Sequence, residues 1–262
     1  MKKNIKLIAL DMDGTVLDDK GNLPVKTAKK FKELMDKGIH LAFATGRTHL
    51  SAQNVADKAG LSLPIISHNG AKVTDPLHGE LLNKKMSHED AKIILEHSHK
   101  NNLYAKAYID NTMYIKEEDR VSLNFAKKHG IGYKVIGDMG KNIPGGANMI
   151  IFIYPQPVRE DYQEIFKDLD ISITRSMPTA YEFMARGCNK GGALKILSDH
   201  LGVEKDEILA VGNALNDLDM LEYAGTGIAM KNSDPDLLDV WDHVSNFTNN
   251  EEGVYEIIKE IL

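Results

Sequence analysis

The 262-residue sequence holds a single cysteine, Cys188. That excludes an intrachain disulfide and suits a reducing compartment, so a cytoplasmic location is expected. Positive charge is also in deficit. With 32 lysines and arginines against 38 aspartates and glutamates the formal charge is -6, and no overall positive field recruits nucleic acid or an anionic membrane surface. No apolar run approaches the ~20 residues needed to cross a bilayer, so no membrane partner is expected. The opening Met1-Lys2-Lys3 is basic, but the apolar stretch after it is only a few residues long and runs into Asp11 without a small-residue cleavage signal. It reads as a strand, not a signal peptide. Internal repeats and low-complexity linkers are missing too. With 42% hydrophobic residues, the chain can bury a substantial core, as one large domain or two modest ones.

The periodicity has two rhythms. From the start, a short apolar run ends at Asp11. A helix is expected over Pro24 to Gly38, with Val25, Ala28, Phe31, Leu34 and Met35 on one stripe, then a buried strand over Ile39 to Ala44. A helix from about His49 to Gly60 and a third strand, Pro64 to Ser67, follow. Such strand-helix-strand crossovers favour a parallel sheet covered by helices, with the polar strand ends gathered on one edge. After about Leu82 the pattern becomes richer in hairpins. Helices are expected over Ser87 to His99, Glu117 to Lys128 and Arg159 to Leu169. Strands are expected over Tyr104 to Ile109, Thr112 to Ile115, Met149 to Tyr154, Ile171 to Ser176 and Ala180 to Met184. The first rhythm then returns, with a helix from Asn189 to about His200, strands at Ile208 to Val211 and Gly227 to Met230, and a closing helix from Val254 to Leu262. We therefore expect a core made of 1–83 and 188–262, interrupted by an α+β domain at 84–187, since neither flank alone offers a complete layered core.

The polar strand ends carry the chemistry. Ile8-Ala9-Leu10-Asp11-Met12-Asp13-Gly14-Thr15 delivers two carboxylates at the end of a buried strand. They suit a nucleophile and an acid-base group sharing a divalent metal, while Gly14 permits a tight turn beneath a small anion. Thr45, with the backbone of Gly46, can meet a phosphoryl oxygen. Arg47 either adds charge there or closes a surface ion pair. Lys190 precedes a double glycine at a helix start and can place positive charge over a phosphoryl group. Asp217, after the Gly212 loop, suits metal binding, and Asp219 fits the role of a first-turn helix acid. Asn69, before Gly70, is a candidate for phosphate binding or cap contact.

In this order the motifs Asp11-Met12-Asp13-Gly14-Thr15, Thr45-Gly46-Arg47, Lys190-Gly191, Gly212-Asn213-Ala214-Leu215-Asn216-Asp217 and Gly227-Ile228-Ala229-Met230 resemble those of the haloacid dehalogenase superfamily of phosphohydrolases, Cof-like branch. The resemblance spans nearly the whole chain. It implies a three-layer, Rossmann-like α/β core with a large inserted α/β cap, and a magnesium-dependent phosphatase acting on a small phosphorylated metabolite. It also implies that Asp11 is the nucleophile that becomes an aspartyl-phosphate, Asp13 the general acid and then base, Thr45 a phosphate ligand, and Lys190 the group that orients Asp11 and phosphate. Magnesium is expected among Asp11, Asp13, Asn213 and Asp217, and Gly46, Arg47, Asn69 and Asn216 complete the phosphate-binding set. Sugar phosphates and phosphorylated cofactors such as pyridoxal or flavin phosphates are both compatible substrates. Glu182 and Arg186, just before the return to the core, are candidate cap contacts to substrate or members of interdomain ion pairs.

At one position the sequence departs from the family pattern. The metal loop usually begins Gly-Asp, whereas this chain has Asn213, which offers a carbonyl oxygen but no charge. Lower metal affinity is expected, unless Asn213 is a turn residue bonded to its own backbone. The alternative function is a catalytically impaired, phosphate-sensing or protein-interaction module. His97 and His99 do not share a helix face and read as surface residues, and Cys188 reads as an inert thiol packed near the domain junction.

Overall fold

A computed structural model describes residues 4–262, so the reading of Met1-Lys2-Lys3 lies outside the described residues. The core begins with β1 (Leu7–Leu10), α1 (Val25–Met35), β2 (His40–Ala44), α2 (His49–Ala59), β3 (Ile65–Ser67), β4 (Lys72–Asp75) and β5 (Gly79–Asn83). A second block follows: α3 (His88–Lys100), β6 (Tyr104–Ile109), β7 (Thr112–Ile115), α4 (Arg120–His129), β8 (Gly132–Val135), α5 (Met139–Asn142), β9 (Met149–Ile153), α6 (Tyr162–Ile165), β10 (Ile171–Met177) and β11 (Ala180–Ala185). The core resumes with α7 (Lys190–Leu201), β12 (Ile208–Gly212), α8 (Leu218–Tyr223), β13 (Thr226–Ala229), α9 (Pro235–Leu238) and α10 (Gly253–Ile261).

The core sheet runs β13-β12-β1-β2-β3-β4-β5. Its first five strands are mutually parallel, and β1 pairs with β12 and β2 on its two sides. This is the expected α/β architecture, with one correction: the sheet is mixed, because β4 and β5 extend it antiparallel. Strand β1 shows why the sheet sits in the middle. All four of its residues are buried, Ile8 and Leu10 packing with α1, α2 and α10 on one face and Leu7 and Ala9 with α7 and α8 on the other. Each of its three large aliphatic side chains contributes about 1.5–3 kcal/mol by leaving water.

The inserted block carries its own six-stranded sheet, β10-β11-β9-β6-β7-β8, antiparallel except where β7 meets β8. One face, including Ala107, Phe152 and Phe183, packs with Ile94 and Leu95 of α3 in a separate hydrophobic cluster. The expected helix over Arg159 to Leu169 shrinks to α6. Asp161 caps it by accepting from the Glu164 N-H at 3.0 Å, and the chain leaves helical geometry at Phe166. That exit lets Tyr162 and Phe166 stack with ring centroids 5.5 Å apart, against Phe183. His97 is not a surface residue. It is half-buried in the same aromatic cluster, 5.2 Å from Phe166.

The chain passes between core and block twice. Lys84 Nζ donates to the Arg186 carbonyl at 2.6 Å, holding outgoing and returning chain together. Cys188 is buried in the cluster beside them, and burial pushes its thiol pKa up, which fits an inert packing role. On the core side, Gly70 has φ +92°, and a Cβ there would stand 2.1 Å from the carbonyl oxygen of Asn189, the residue that caps α7. Backbone cannot yield as a flexible side chain can. Gly70→Ala is therefore expected to lower unfolding stability by about 3 kcal/mol or more, read by denaturant titration. A loss under about 1 kcal/mol would show that the loop and α7 separate freely.

Candidate active site

Because β12, β1 and β2 are neighbours, their carboxyl ends bring Asn213, Asp11 and Thr45 together. Lys190 enters from the first turn of α7, whose cap is Asn189 Oδ1 accepting from the Gly192 N-H at 2.6 Å. The lysine is fully buried. Its Nζ donates to Asp11 Oδ1 at 2.7 Å and to Asp217 Oδ1 at 2.6 Å. Burial alone would lower its pKa, but the two carboxylates outweigh that and raise it. Asp11 is pushed up to about 7, chiefly by burial, with Lys190 opposing and Asp217 adding to the rise.

Asp217 has no oxygen to spare. Its Oδ2 accepts from the N-H groups of Asn213 at 2.8 Å and Ala214 at 3.0 Å, and its side chain is fully buried. Asp217, expected to bind metal, here secures Lys190 and the loop with both carboxylate oxygens. Asp13 also differs from expectation. Its carboxylate is open to the cavity and takes a two-pronged pair from Arg47, Nε to Oδ2 at 2.7 Å and Nη2 to Oδ1 at 2.6 Å. Burial would raise the Asp13 pKa, but Arg47, by hydrogen bonding and charge, with smaller help from His129 and Lys128, holds it below the usual carboxylate range. Arg47 is therefore neither free for phosphate nor merely superficial in this arrangement.

The amide terminus of Asn213 lies 3.0 Å from Asp11 Oδ2, 2.9 Å from the Asp13 carbonyl oxygen and 2.9 Å from Thr15 Oγ1. With its nitrogen on that side its two N-H groups have three acceptors within reach. With its oxygen on that side it accepts from the Thr15 hydroxyl but crowds the oxygens of Asp11 and Asp13, an arrangement that a cation among them relieves. Oxygen-only donors with separations near 3 Å match adjacent corners of an octahedron with bonds of about 2.1 Å, the preference of magnesium. Asp11, the Asp13 carbonyl and Asn213 could hold such an ion.

Above this floor is a cavity of about 370 Å³, lined from below by Asp11, Asp13, Thr45, Gly46, Arg47, Asn213 and Asn216, and from above by residues of the inserted sheet and α4. Glu182 joins the two halves. It is buried, its Oε2 accepts from Asn69 Nδ2 at 2.6 Å, and Asn69 Oδ1 accepts from Asn216 Nδ2 at 3.0 Å. Burial raises its pKa, with Ser176 and Asn69 opposing. Arg186 does not join them: its guanidinium is exposed and pairs with Asp170 at 2.6 Å, outside this cavity. Lys106, His129 and Ser176 line the cavity and were not singled out from sequence. The alternation of Tyr104, Lys106 and Tyr108 along β6 was the available signal for the first.

The chain matches the haloacid dehalogenase-like hydrolase family over residues 8–258. It belongs to that family. Among relatives in it, the chain is 30% identical over 261 residues to 5-amino-6-(5-phospho-D-ribitylamino)uracil phosphatase YcsE of Bacillus subtilis, covering 98% of this chain and 95% of that protein. It is 31% identical over 236 residues to the HMP-PP phosphatase of Escherichia coli, covering 88% and 86%. A haloacid dehalogenase-like hydrolase structure from B. subtilis superposes with a TM-score of 0.88 at 26% identity, over 98% of this chain and 100% of that one. The structure of TM0651 from Thermotoga maritima gives 0.80 at 30% identity, over 98% of each. The fold thus carries the family's α/β core and cap.

A second group of side chains with metal-ligating atoms lies elsewhere. Asp75 Oδ1 is 2.9 Å from His78 Nδ1, which is 3.1 Å from His200 Nε2, and the three can coordinate an ion. Since β4 runs antiparallel to β3, Asp75 sits at the sheet edge opposite Asp11, so this group is remote from the cavity. No helix of the described residues is long and apolar enough to cross a membrane.

The Lys190 triad sets a stability test. Lys190→Met leaves two buried carboxylates without their cation and is expected to cost about 3–5 kcal/mol in chemical denaturation. Adding Asp217→Asn should recover part of that loss, because one buried charge is removed and the loop N-H groups keep an acceptor. Strict additivity of the two changes would mean that Lys190 and Asp217 do not share one ion-pair network.

Proposed function

We propose that the chain is a magnesium-assisted phosphatase for a small phosphorylated metabolite, working through an aspartyl-phosphate on Asp11. The observation that carries this is the division of the Asp11 carboxylate. Oδ1 is held by Lys190 while Oδ2 faces Asn213 beside the Asp13 carbonyl, at the floor of a cavity. A nucleophile fixed by one oxygen and presented by the other is oriented for in-line attack on phosphorus.

In this reading Asp11 Oδ2 bonds to phosphorus as the ester oxygen departs, and Thr45 Oγ1 and Lys190 stabilise the phosphoryl oxygens. Asp13 supplies the proton to the leaving alcohol. It then takes one from water, which attacks phosphorus, frees phosphate and restores Asp11. The Arg47 pair opposes the first of these steps, since it keeps Asp13 ionised. An arriving phosphoryl dianion competes for Arg47, and release of that pair lets the Asp13 pKa climb back toward a proton donor's. Magnesium, when bound by Asp11, the Asp13 carbonyl and Asn213, adds positive charge against the phosphoryl oxygens. Residues 84–187 act as the cap that chooses the leaving group, through the upper wall of the cavity. The relatives named as phosphatases of a ribitylaminouracil phosphate and of HMP-PP support small organic phosphates as the substrate class.

A screen of small phosphate esters with and without magnesium tests the activity. Asp11→Asn should lower turnover by at least roughly 10³-fold, and mass spectrometry of quenched wild type should place phosphate on Asp11. Phosphate mapped to another residue would overturn the chemistry.

Asn213 supports a second reading, an impaired phosphate-sensing module, because its amide nitrogen can satisfy Asp11 Oδ2 and the Asp13 carbonyl without any metal. Asn213→Asp separates the two. Restoring a carboxylate is expected to lower the magnesium concentration for half-saturation about tenfold, measured by calorimetry at fixed pH and ionic strength. A wild type inert across the ester library but active after this change would favour the impaired module. Unchanged magnesium affinity would place Asn213 outside the ion's reach.

A further inference from the structure

Lys106 is among the largest fully buried side chains of the protein, with 2% of its surface exposed, yet it has no hydrogen-bond or ion-pair partner among the described residues. Its ammonium rests over the Phe125 ring, 4.4 Å from the centroid, and 5.5 Å from that of Tyr104. The nearby acid, Asp119, is already committed: one oxygen accepts from the Ser122 N-H at 2.8 Å and the other from the Tyr104 hydroxyl at 3.0 Å. Lys106 instead lines the cavity above Asp11. A cation taken out of water is disfavoured unless a counter-charge meets it, and a stacked ring replaces only part of its hydration.

The rest of the upper wall shows what that counter-charge would arrive on. Lys106 lies opposite Ile151 in the β6–β9 pairing, and Ile151 lies opposite Glu182 in the β9–β11 pairing, so all three share one face. Around Lys106 that wall is Tyr108, Phe125, Ile131, Ile151 and Ile153, which give a polyhydroxylated ring few hydrogen-bond partners. Arg47 is paired with Asp13, and burial holds His129 neutral, its pKa down to about 4. Lys106 is the uncommitted cation among the described residues of the cavity.

We propose that Lys106 is a specificity-determining residue that binds an anionic oxygen on the leaving group, so that the substrate is a phosphate monoester whose alcohol half is an apolar or aromatic body bearing a second anionic group. This rests on the phosphatase reading for its setting, with the phosphoryl group at the floor and the second anion at the roof. Burial lowers the Lys106 pKa, with Asp119 weakly opposing, and an anionic ligand reverses that penalty.

Phenyl phosphate and its meta- and para-carboxy derivatives form a matched probe set. In the wild type the better carboxylated ester is expected to exceed phenyl phosphate about tenfold in kcat/KM. In Lys106→Met that ratio should fall to near one, and Lys106→Arg should retain part of it. Calorimetric binding of the same esters to Asp11→Asn protein reads the same preference without turnover, so an inert enzyme would overturn the phosphatase reading and leave this comparison standing. Lys106→Met should also melt higher than the wild type, because an unpartnered buried charge is gone. No preference for the carboxylated esters, a preference that survives Lys106→Met, or a lower melting temperature that makes Lys106 a structural cation would each overturn the proposal.

Discussion

One buried lysine imposes the arrangement of the whole core. Lys190 must lie between Asp11 and Asp217, residues 179 and 27 positions away in sequence. An uncompensated charge at a fully buried position would cost several kcal/mol, so the end of β1, the loop after β12 and the first turn of α7 are bound to one geometry. The same demand explains how a large insertion is tolerated. The chain leaves the core at the end of β5 and returns just before α7, and the Lys84 to Arg186 hydrogen bond brings exit and re-entry together. The core therefore sees the insertion as a short connection.

That constraint also sorts the two carboxylates of the opening motif. They are two residues apart yet sit in opposite environments. Asp11 is buried and its pKa is raised to about 7, whereas Asp13 is open to the cavity and held low by Arg47. Groups whose surroundings push their pKa values apart can take different roles in one reaction. The direction is informative. Lys190 offsets part of the burial cost at Asp11 through Oδ1 and leaves Oδ2 to face Asn213, while Arg47 occupies both oxygens of Asp13. One carboxylate is thus held by a buried lysine through a single oxygen, while the other is gripped by an arginine through both.

Much of this was legible in sequence where one local pattern determined the outcome. Leu7 to Leu10 could only be a strand buried on both faces, and the hairpin strands Tyr104–Ile109 and Thr112–Ile115 occur with the expected limits. Elements decided by distant partners were not legible. Strand β8 is exposed along its length and has no alternation to reveal it, and β4 and β5 are short strands placed by pairing rather than by pattern. The overlong helix at Arg159 to Leu169 had a helical apolar spacing, but Phe166 is drawn into an aromatic cluster that local periodicity does not encode. The site divides in the same way. Motif residues are brought together, whereas the engagement of both Asp217 oxygens by Lys190 and two loop N-H groups is a fact of packing. Glu182 and Arg186 looked equivalent in sequence. The first ends a cross-strand row facing the core, while the second lies beyond the end of β11 and turns outward to Asp170.

Core and insertion meet largely through polar contacts, with Ala71 and Cys188 of the core joining the insertion's apolar cluster. Asn69 reaches Glu182, Ser51 reaches His129, and Arg175 of β10 reaches Asp236 of α9. Water can replace such contacts, so separating the walls costs less than opening either of the apolar clusters that hold core and insertion together internally. Glu182 is the exception that sharpens the point: once the walls part, its buried carboxyl regains water, which offsets part of the hydrogen bond lost to Asn69. The fold thus fixes the strand-end residues through Lys190 and joins them to the inserted sheet by contacts that water can replace.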